Sequence, residues 1–349
     1  MTGRFNKRAI LKRTLSATGG LRLLESLPTW NGLLVLNYHR IGTPDGSLFD
    51  HALWSATQED FDQQVRMLAS GFDVIGLNDL RSALDDLRAG TGRAWQSRRF
   101  AMITFDDGYL DNFEQAFPVL ESHNVPGVFF ITSGFLDDGR LAWWDEIAWM
   151  VRTSTRSQLE LSRRWIAAPL SLAADNREAV ISRLLRRYYR ITGHETSAFL
   201  DELADATGSG RAPEGTADGL WMNWNMIRTM HASGMSVGAH TVTHPILSRL
   251  SADEQNLEIC ESRLRIEHEL GDTVSALSYP VGSRDAFNDV TRSALSQNGF
   301  DWAFSYYGGH LRARSDLDRF DIPRVAIESD VTLEDFRSCC ALPHVFARH

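Results

Sequence analysis

The chain has 349 residues, 43% hydrophobic and 23% charged, enough for one large α/β domain with an insertion or for two small domains. Its formal charge of −9 weighs against a nucleic-acid binder, whose affinity would rest on neutralising phosphates. Three cysteines, two of them the adjacent Cys339 and Cys340, make a poor disulfide framework and no CxxC metal knuckle, which fits a reducing compartment.

Residues 1–30 carry Arg4, Lys7, Arg8, Lys12, Arg13 and Arg22, like the charged start of a signal peptide. Ser16, Thr18, Gly19-Gly20 and Glu25 then break up the apolar run that an export signal needs. The expectation is a basic N-terminal leader helix on the domain surface, with peripheral contact to an anionic membrane as the alternative. No stretch of about 18 apolar residues follows anywhere, so no transmembrane helix is expected. Without an export signal the expected location is cytoplasmic, or peripheral at the inner membrane face.

Short apolar runs rich in β-branched and aromatic residues predict strands over 32–39, 72–76, 100–105, 127–132, 235–239, 275–279, 302–306 and 323–327. Helical periodicity predicts helices between them, over 57–70, 77–88, 111–122, 223–232, 252–270 and 289–297. Strand alternating with helix implies a parallel sheet, either open and doubly wound or closed as a barrel. From about 137 to 219 no convincing strand is present; that stretch reads as a helical insertion with Arg183, Arg186, Arg187 and Arg190 on a solvated face.

Two strand ends carry the chemistry. Met102-Ile103-Thr104-Phe105 ends in Asp106-Asp107, and Gly108 lets the chain turn. Ligands in parallel α/β folds bind beyond the strand C-termini. Adjacent residues on an extended chain point in opposite directions, so one carboxylate can hold a metal while the other stays free as a base. The same adjacency argues against a glycosidase, whose two carboxylates flank one bond at roughly 5 to 9.5 Å. The second strand end is Val237-Gly238-Ala239-His240-Thr241-Val242-Thr243-His244-Pro245. Pro245 disfavours an α conformation at His244, so the histidine pair belongs on a turn after a strand and not within a helix. One carboxylate with two histidines is a recipe for a divalent site with open positions.

Thr104–Gly108 and His240–His244 resemble the first two motifs, TFDDG and H-[ST]-x-x-H, of the polysaccharide deacetylase (NodB-like, carbohydrate esterase family 4) superfamily. Phe129–Thr132 resembles the strand that follows, and Asn37-Tyr38-His39-Arg40-Ile41 resembles the opening strand of the subgroup acting on exopolysaccharides. The resemblance runs from about 31 to 330 outside the insertion. It implies that Asp107, His240 and His244 bind a divalent metal, with zinc favoured and cobalt, nickel or iron as alternatives, and that Asp106 is the general base. Ser278-Tyr279-Pro280-Val281-Gly282 stands at the third motif but lacks its usual arginine and aromatic flanks. The resemblance makes the Val281 backbone N–H the second oxyanion donor. It also makes His39 either the general acid or a hydrogen-bonded structural histidine, with His310 in reserve. Arg324 either orients Asp106 or forms an ordinary surface pair. Trp143, Trp144 and Trp149 either stack on sugar rings or anchor the insertion.

The expected fold is a distorted, incomplete (β/α) barrel of parallel strands spanning 31–349, with the helical insertion beside its cleft. The activity implied is hydrolysis of N-acetyl groups on amino sugars of a bacterial exopolysaccharide or its precursor, so the partner is a carbohydrate polymer or oligosaccharide. An O-acetyl esterase, an amidase on a non-sugar substrate, or a catalytically inactive carbohydrate-binding relative are the alternatives.

Overall fold

Seven of the eight expected strands close on one another in the computed structural model, which describes residues 11–347 apart from 13, 16, 28, 90–97 and 313–316. They are β1 (Gly32–Tyr38), β2 (Arg99–Phe105), β3 (Val128–Ile131), β4 (Ser236–Ala239), β5 (Ala276–Ser278), β6 (Trp302–Gly308) and β7 (Ile322–Ala326). Each pairs in parallel with the next in sequence. β7 then returns to β1, with Val325 opposite Leu36. The result is a closed seven-stranded parallel barrel with helices around it, one strand short of the eight of the commonest barrel. The eighth expected strand is only Asp73–Val74 and pairs with the start of β2. Five short strands were not expected: His310–Arg312 runs antiparallel to the start of β1, Arg40–Ile41 pairs with Trp54–Ala56, and Gln158–Leu159 pairs with Leu170–Ser171.

The period of two along each strand sorts the side chains. Leu33, Val35, Phe100, Met102, Phe130 and Phe304 share one parity and pack together inside the barrel, closed below by Leu80, Leu84 and Leu87 of the helix Leu77–Ala89. The other parity, including Leu34, Leu36, Ile103 and Phe129, packs outward beneath the helices. Gly238 keeps the inner space for aromatic rings, since a Cβ there would meet the Phe130 ring at 2.5 Å. Followed upward, the inward column changes character, from Leu33 and Val35 to Asn37, from Phe100 and Met102 to Thr104 and Asp106, from Ala276 to Ser278 and from Ile322 to Arg324. All of these upper residues are buried. The barrel is thus apolar at its base and polar in its top layer.

Helix starts follow the caps written in the sequence. Thr57 accepts from the Asp60 N–H, and Ser251 with Glu254 forms a full capping box at Ala252–Leu270. The helix expected over 111–122 is irregular: Asn112–Ala116 is a π turn ahead of Phe117–Ser122. Pro118 has no N–H to continue the regular ladder, and the Phe117 N–H instead reaches back five residues to the Asn112 carbonyl.

The region 137–219 holds three helices, α1 (Trp143–Thr153), α2 (Arg177–Tyr188) and α3 (Thr196–Thr207). Their apolar faces build a second core with Tyr109, Phe135 and Trp221. Arg177 donates to the carbonyls of Val151, Arg152 and Ser154 at the end of α1, and Arg187 donates to Arg164 O. Arg183 and Arg186 are exposed. Of the leader's cations, Arg4, Lys7, Arg8 and Arg13 lie outside the described residues, and Lys12 pairs with Asp335. All three cysteines are unpaired, and no helix among the described residues is long and apolar enough to cross a membrane.

One buried carboxylate ties the second core to the chain beyond β1 and β2. Asp145, on α1, accepts from the Asp50 N–H at 2.8 Å and the Tyr109 O–H at 2.7 Å, and Tyr109 in turn accepts from Trp144 Nε1 at 2.8 Å. Burial pushes the Asp145 carboxyl up to about 7. The folded protein therefore keeps a proton that the unfolded chain releases near pH 3.9, so this group's contribution to stability falls as pH rises from about 4 to 7. Asp145→Asn is expected to remove that slope. Urea unfolding at pH 5 and pH 7.5 should show the variant gaining on the wild type by a few kcal/mol at the higher pH; an equal difference at both would refute the expectation.

Candidate active site

The polar top layer converges on one side chain. Arg324, 1% exposed, sends Nη1 and Nη2 to the two oxygens of Asp106, each at 2.8 Å. Its remaining N–H groups reach Ser305 O at 2.9 Å, Ser278 Oγ at 2.7 Å and Asn37 Oδ1. Asp106 further accepts from Ser278 Oγ at 3.1 Å. Burial alone would raise the Asp106 pKa; the Arg324 guanidinium, with His240 beside it, reverses this and holds the carboxyl well below the usual carboxylate range. The Arg324 pair is therefore a buried bidentate clamp and not a surface ion pair.

Asp107 turns away from this clamp. Its φ of +78 breaks the strand, and its Oδ1 stands 3.4 Å from His240 Nε2 and 3.5 Å from His244 Nε2. That oxygen is buried and has no geometrically sound hydrogen-bond partner among the described residues. An acceptor stranded in this way is costly without a counter-charge. The His240 ring is oriented from behind by Nδ1, 2.8 Å from Ser278 O, which directs Nε2 at Asp107. Burial acts to lower both imidazoles: it takes His244 down to about 3, whereas the charges of Asp106 and Asp107 outweigh it at His240 and raise it. A carboxylate oxygen and two imidazole nitrogens within 4.8 Å of one another fit a divalent cation.

The histidine loop is held by its surroundings. Glu258 accepts from the N–H groups of Val242 and Thr243 and from Thr243 Oγ1, at 2.6–2.9 Å. Ser133 and Gly134 donate to the Thr241 and Val242 carbonyls, and a Cβ at Gly134 would meet Val242 O at 2.5 Å. Among described non-glycine residues with positive φ, Asp107, Thr241, His244 and Val281 all lie at this mouth, and only Asn124 lies elsewhere. Left-handed backbone at β-branched residues persists only where neighbours enforce it, and it clusters at functional sites. His244 lies outside any helix, as Pro245 led one to expect, in the irregular segment after β4.

A cavity of about 210 Å³ opens over these residues and brings together Asp106, Asp107, His240, His244, His39 and Val281. Trp143, Trp144, Tyr189 and Tyr306 form aromatic walls, and Asp50 also faces in. His39 is pinned through its backbone, with its N–H on Ser55 Oγ at 3.0 Å and its carbonyl on Asn112 Nδ2 at 2.7 Å. Its ring meets Tyr306 edge-on at 5.6 Å. Arg40 stacks between Trp54 and Tyr109 and pairs with Asp111, fixing the loop after β1. Trp143 and Trp144 both anchor and line: Trp143 stacks on Tyr188 at 4.1 Å, while Trp144 meets the His244 ring at 4.4 Å. Trp149 packs against the second core and is not among the residues lining the cavity. His310 is not brought in, for it faces Leu34 near the opposite end of β1, against Trp30.

Sequence reasoning missed Asn37, Ser278, Glu258, Asp50 and Tyr306 as parts of this site. Asn37 and Ser278 carried a usable signal, being polar residues at inward parity on otherwise apolar strands. Glu258 and Asp50 carried none, since acidic residues on a helix and in a loop are ordinary.

A donor set that fits a divalent cation, with a second buried carboxylate beside it, thus stands at the C-terminal mouth of a parallel barrel. The Polysaccharide deacetylase family model matches residues 94–158 and 185–303, just over half the chain, and the chain belongs to that family. Among solved structures it is similar to the Streptococcus pyogenes deacetylase PplD in complex with acetate, at 16% identity and TM-score 0.56, covering 91% of this chain and 99% of that one. It is also similar to IcaB from Ammonifex degensii, at 20% identity and TM-score 0.53, covering 89% and 96%. For the BpsB deacetylase domain from Bordetella bronchiseptica the identity is 16% and the TM-score 0.50, covering 84% and 95%. At these identities the likeness is one of fold. Among curated protein sequences none matches.

Replacing Arg324 with Met would leave the Asp106 carboxyl buried without its counter-cation. The variant is expected to lose about 3–5 kcal/mol of unfolding free energy, measured by urea denaturation at pH 7. A loss under about 1 kcal/mol, the worth of an exposed pair, would contradict the buried clamp.

Proposed function

We propose that the chain is a metal-dependent hydrolase that removes N-acetyl groups from amino sugars of a bacterial exopolysaccharide or its precursor. The observation that carries this reading is the stranded Asp107 oxygen facing two imidazole nitrogens, immediately beside a second carboxylate clamped by Arg324. A pure binding module has no use for such an ionised carboxylate beside a cation site. Membership of the polysaccharide deacetylase family supports the substrate class.

Asp107, His240 and His244 would hold the cation. A divalent ion there, zinc in the first instance, would supply Lewis acidity toward a water and toward the acyl carbonyl. Asp106 keeps lone pairs beyond those used by Arg324, so it accepts the proton that water loses on attack. Val281 stands at the centre of a tight turn closed by Gly282 N–H on Pro280 O at 2.7 Å, with φ +62. Its own N–H has no partner among the described residues and is offered to the developing oxyanion. His39, which lines the same cavity, returns a proton to the departing amine. The aromatic walls suit the apolar faces of a sugar ring.

Acetate release from N-acetylglucosamine oligomers tests this directly. Chelated protein should be inactive, addition of Zn²⁺ or Co²⁺ should restore it, and Asp106→Asn should lower the restored rate on the order of 10² to 10⁴-fold. Cleavage of a chromogenic acetyl ester with no acetate from the oligomers would favour an O-acetyl esterase instead. Failure on both substrates with metal bound would remove the hydrolase reading.

A further inference from the structure

The catalytic cavity contains one acidic group that the chemistry above does not use. Asp50 lies on the loop between β1 and the helix Gln58–Gly71, is 6% exposed, and faces the same cavity as Asp106 and His39. Its Oδ1 caps the short helical turn His51–Leu53, accepting from the Ala52 N–H at 3.1 Å. Its Oδ2 has no hydrogen-bond or ion-pair partner among the described residues. The residue is also held rigidly, because its N–H is bound by the buried Asp145, itself tied to Tyr109. Burial raises the Asp50 pKa, and the Ala52 N–H and the charge of Arg152 offset only part of this. A fixed carboxylate short of donors, facing a cavity, gains from any ligand that brings a donor and penalises one that does not.

Most of the cavity wall around it has little polar to offer. Leu53, Leu185 and Ala52 are apolar, and Trp143, Trp144 and Tyr189 are aromatic. The other carboxylates and the imidazoles, Asp106, Asp107, His39, His240 and His244, stand at or just beyond strand ends, where the acyl group must lie for Asp106 to serve it. The rest of the substrate thus has Asp50 as its carboxylate acceptor. Resting on the deacetylase reading, we propose that Asp50 is the specificity-determining residue for the sugar: its free oxygen accepts a hydrogen bond from a ring hydroxyl of the amino sugar whose acyl group is cleaved. Recognition then belongs to the loop after β1 and to α1 beneath it, while hydrolysis belongs to the barrel.

The test compares metal-restored wild type with Asp50→Ala and with Asp50→Ser, whose hydroxyl keeps a cap for the Ala52 N–H. Each is assayed on N-acetylglucosamine oligomers and on an aryl acetate that has no sugar, with metal content and unfolding midpoint recorded. In Asp50→Ser the KM for oligomers is expected to rise about tenfold or more with kcat held within about threefold, so that the ratio of oligomer to ester kcat/KM falls about tenfold. A parallel loss on both substrates would make Asp50 a structural cap and overturn the assignment, as would an unchanged oligomer KM in either folded variant. If the wild type cleaves the ester but not the oligomer, the deacetylase reading itself fails and this inference goes with it, a result visible before any variant is made.

Discussion

A guanidinium sealed inside a barrel must have every N–H answered, because none can turn to water. Arg324 meets that demand by drawing on β1 through Asn37, on β5 through Ser278, on β6 through Ser305 and on the end of β2 through Asp106. Strands on nearly every side of the ring are thereby held in one height register at their C-terminal ends. Asp106 could not remain ionised at 2% exposure without this cation, and Asp107 could not be aimed at the histidines unless its neighbour were fixed. The donor set, the cavity and the loops that frame them are arranged around that pair.

Much of this was legible in the sequence. The strands could be found because a parallel barrel buries both faces and so writes itself as short continuous apolar runs. The helices could be found from their period, and in the structure Thr57, Ser251 and Asn288 cap three of their starts with their own side chains. Asp106, Asp107, His240 and His244 were legible as a set because two strand ends each carried half of a divalent site. What stayed hidden depends on contacts between distant residues. That Arg324 is buried, and not a surface pair, follows only once β7 lies beside β1. That His310 faces the wrong end of the barrel follows from a three-residue antiparallel strand too short to leave a pattern. The π turn at Asn112–Ala116 is a local response to Pro118 within an otherwise good helical period.

The two cores divide the labour. The barrel positions the groups that would move protons and hold a cation, and the helices α1 and α2 close one side of the cavity with Trp143, Trp144 and Leu185. They are joined where Tyr109, two residues beyond Asp107, bonds to Asp145 and Trp144. A shift of α1 would therefore be felt both at the cavity wall and at the loop that carries Asp107. The left-handed conformations of Asp107, Thr241, His244 and Val281 point the same way, since strained backbone survives only where surrounding contacts over-determine it.

The separation of Asp106 and Arg324 along the chain, 218 positions, also bears on how the protein is made. A ribosome delivers the carboxylate, the histidines and most of the barrel long before it delivers the guanidinium. Until β7 emerges, the nascent ring has a gap between β6 and β1 and an uncompensated charge at its mouth, so the top layer is the last part that can become native. Contacts of such long range fold slowly and leave strand edges open meanwhile, which makes this waiting interval the moment at which the chain most needs protection from chaperones.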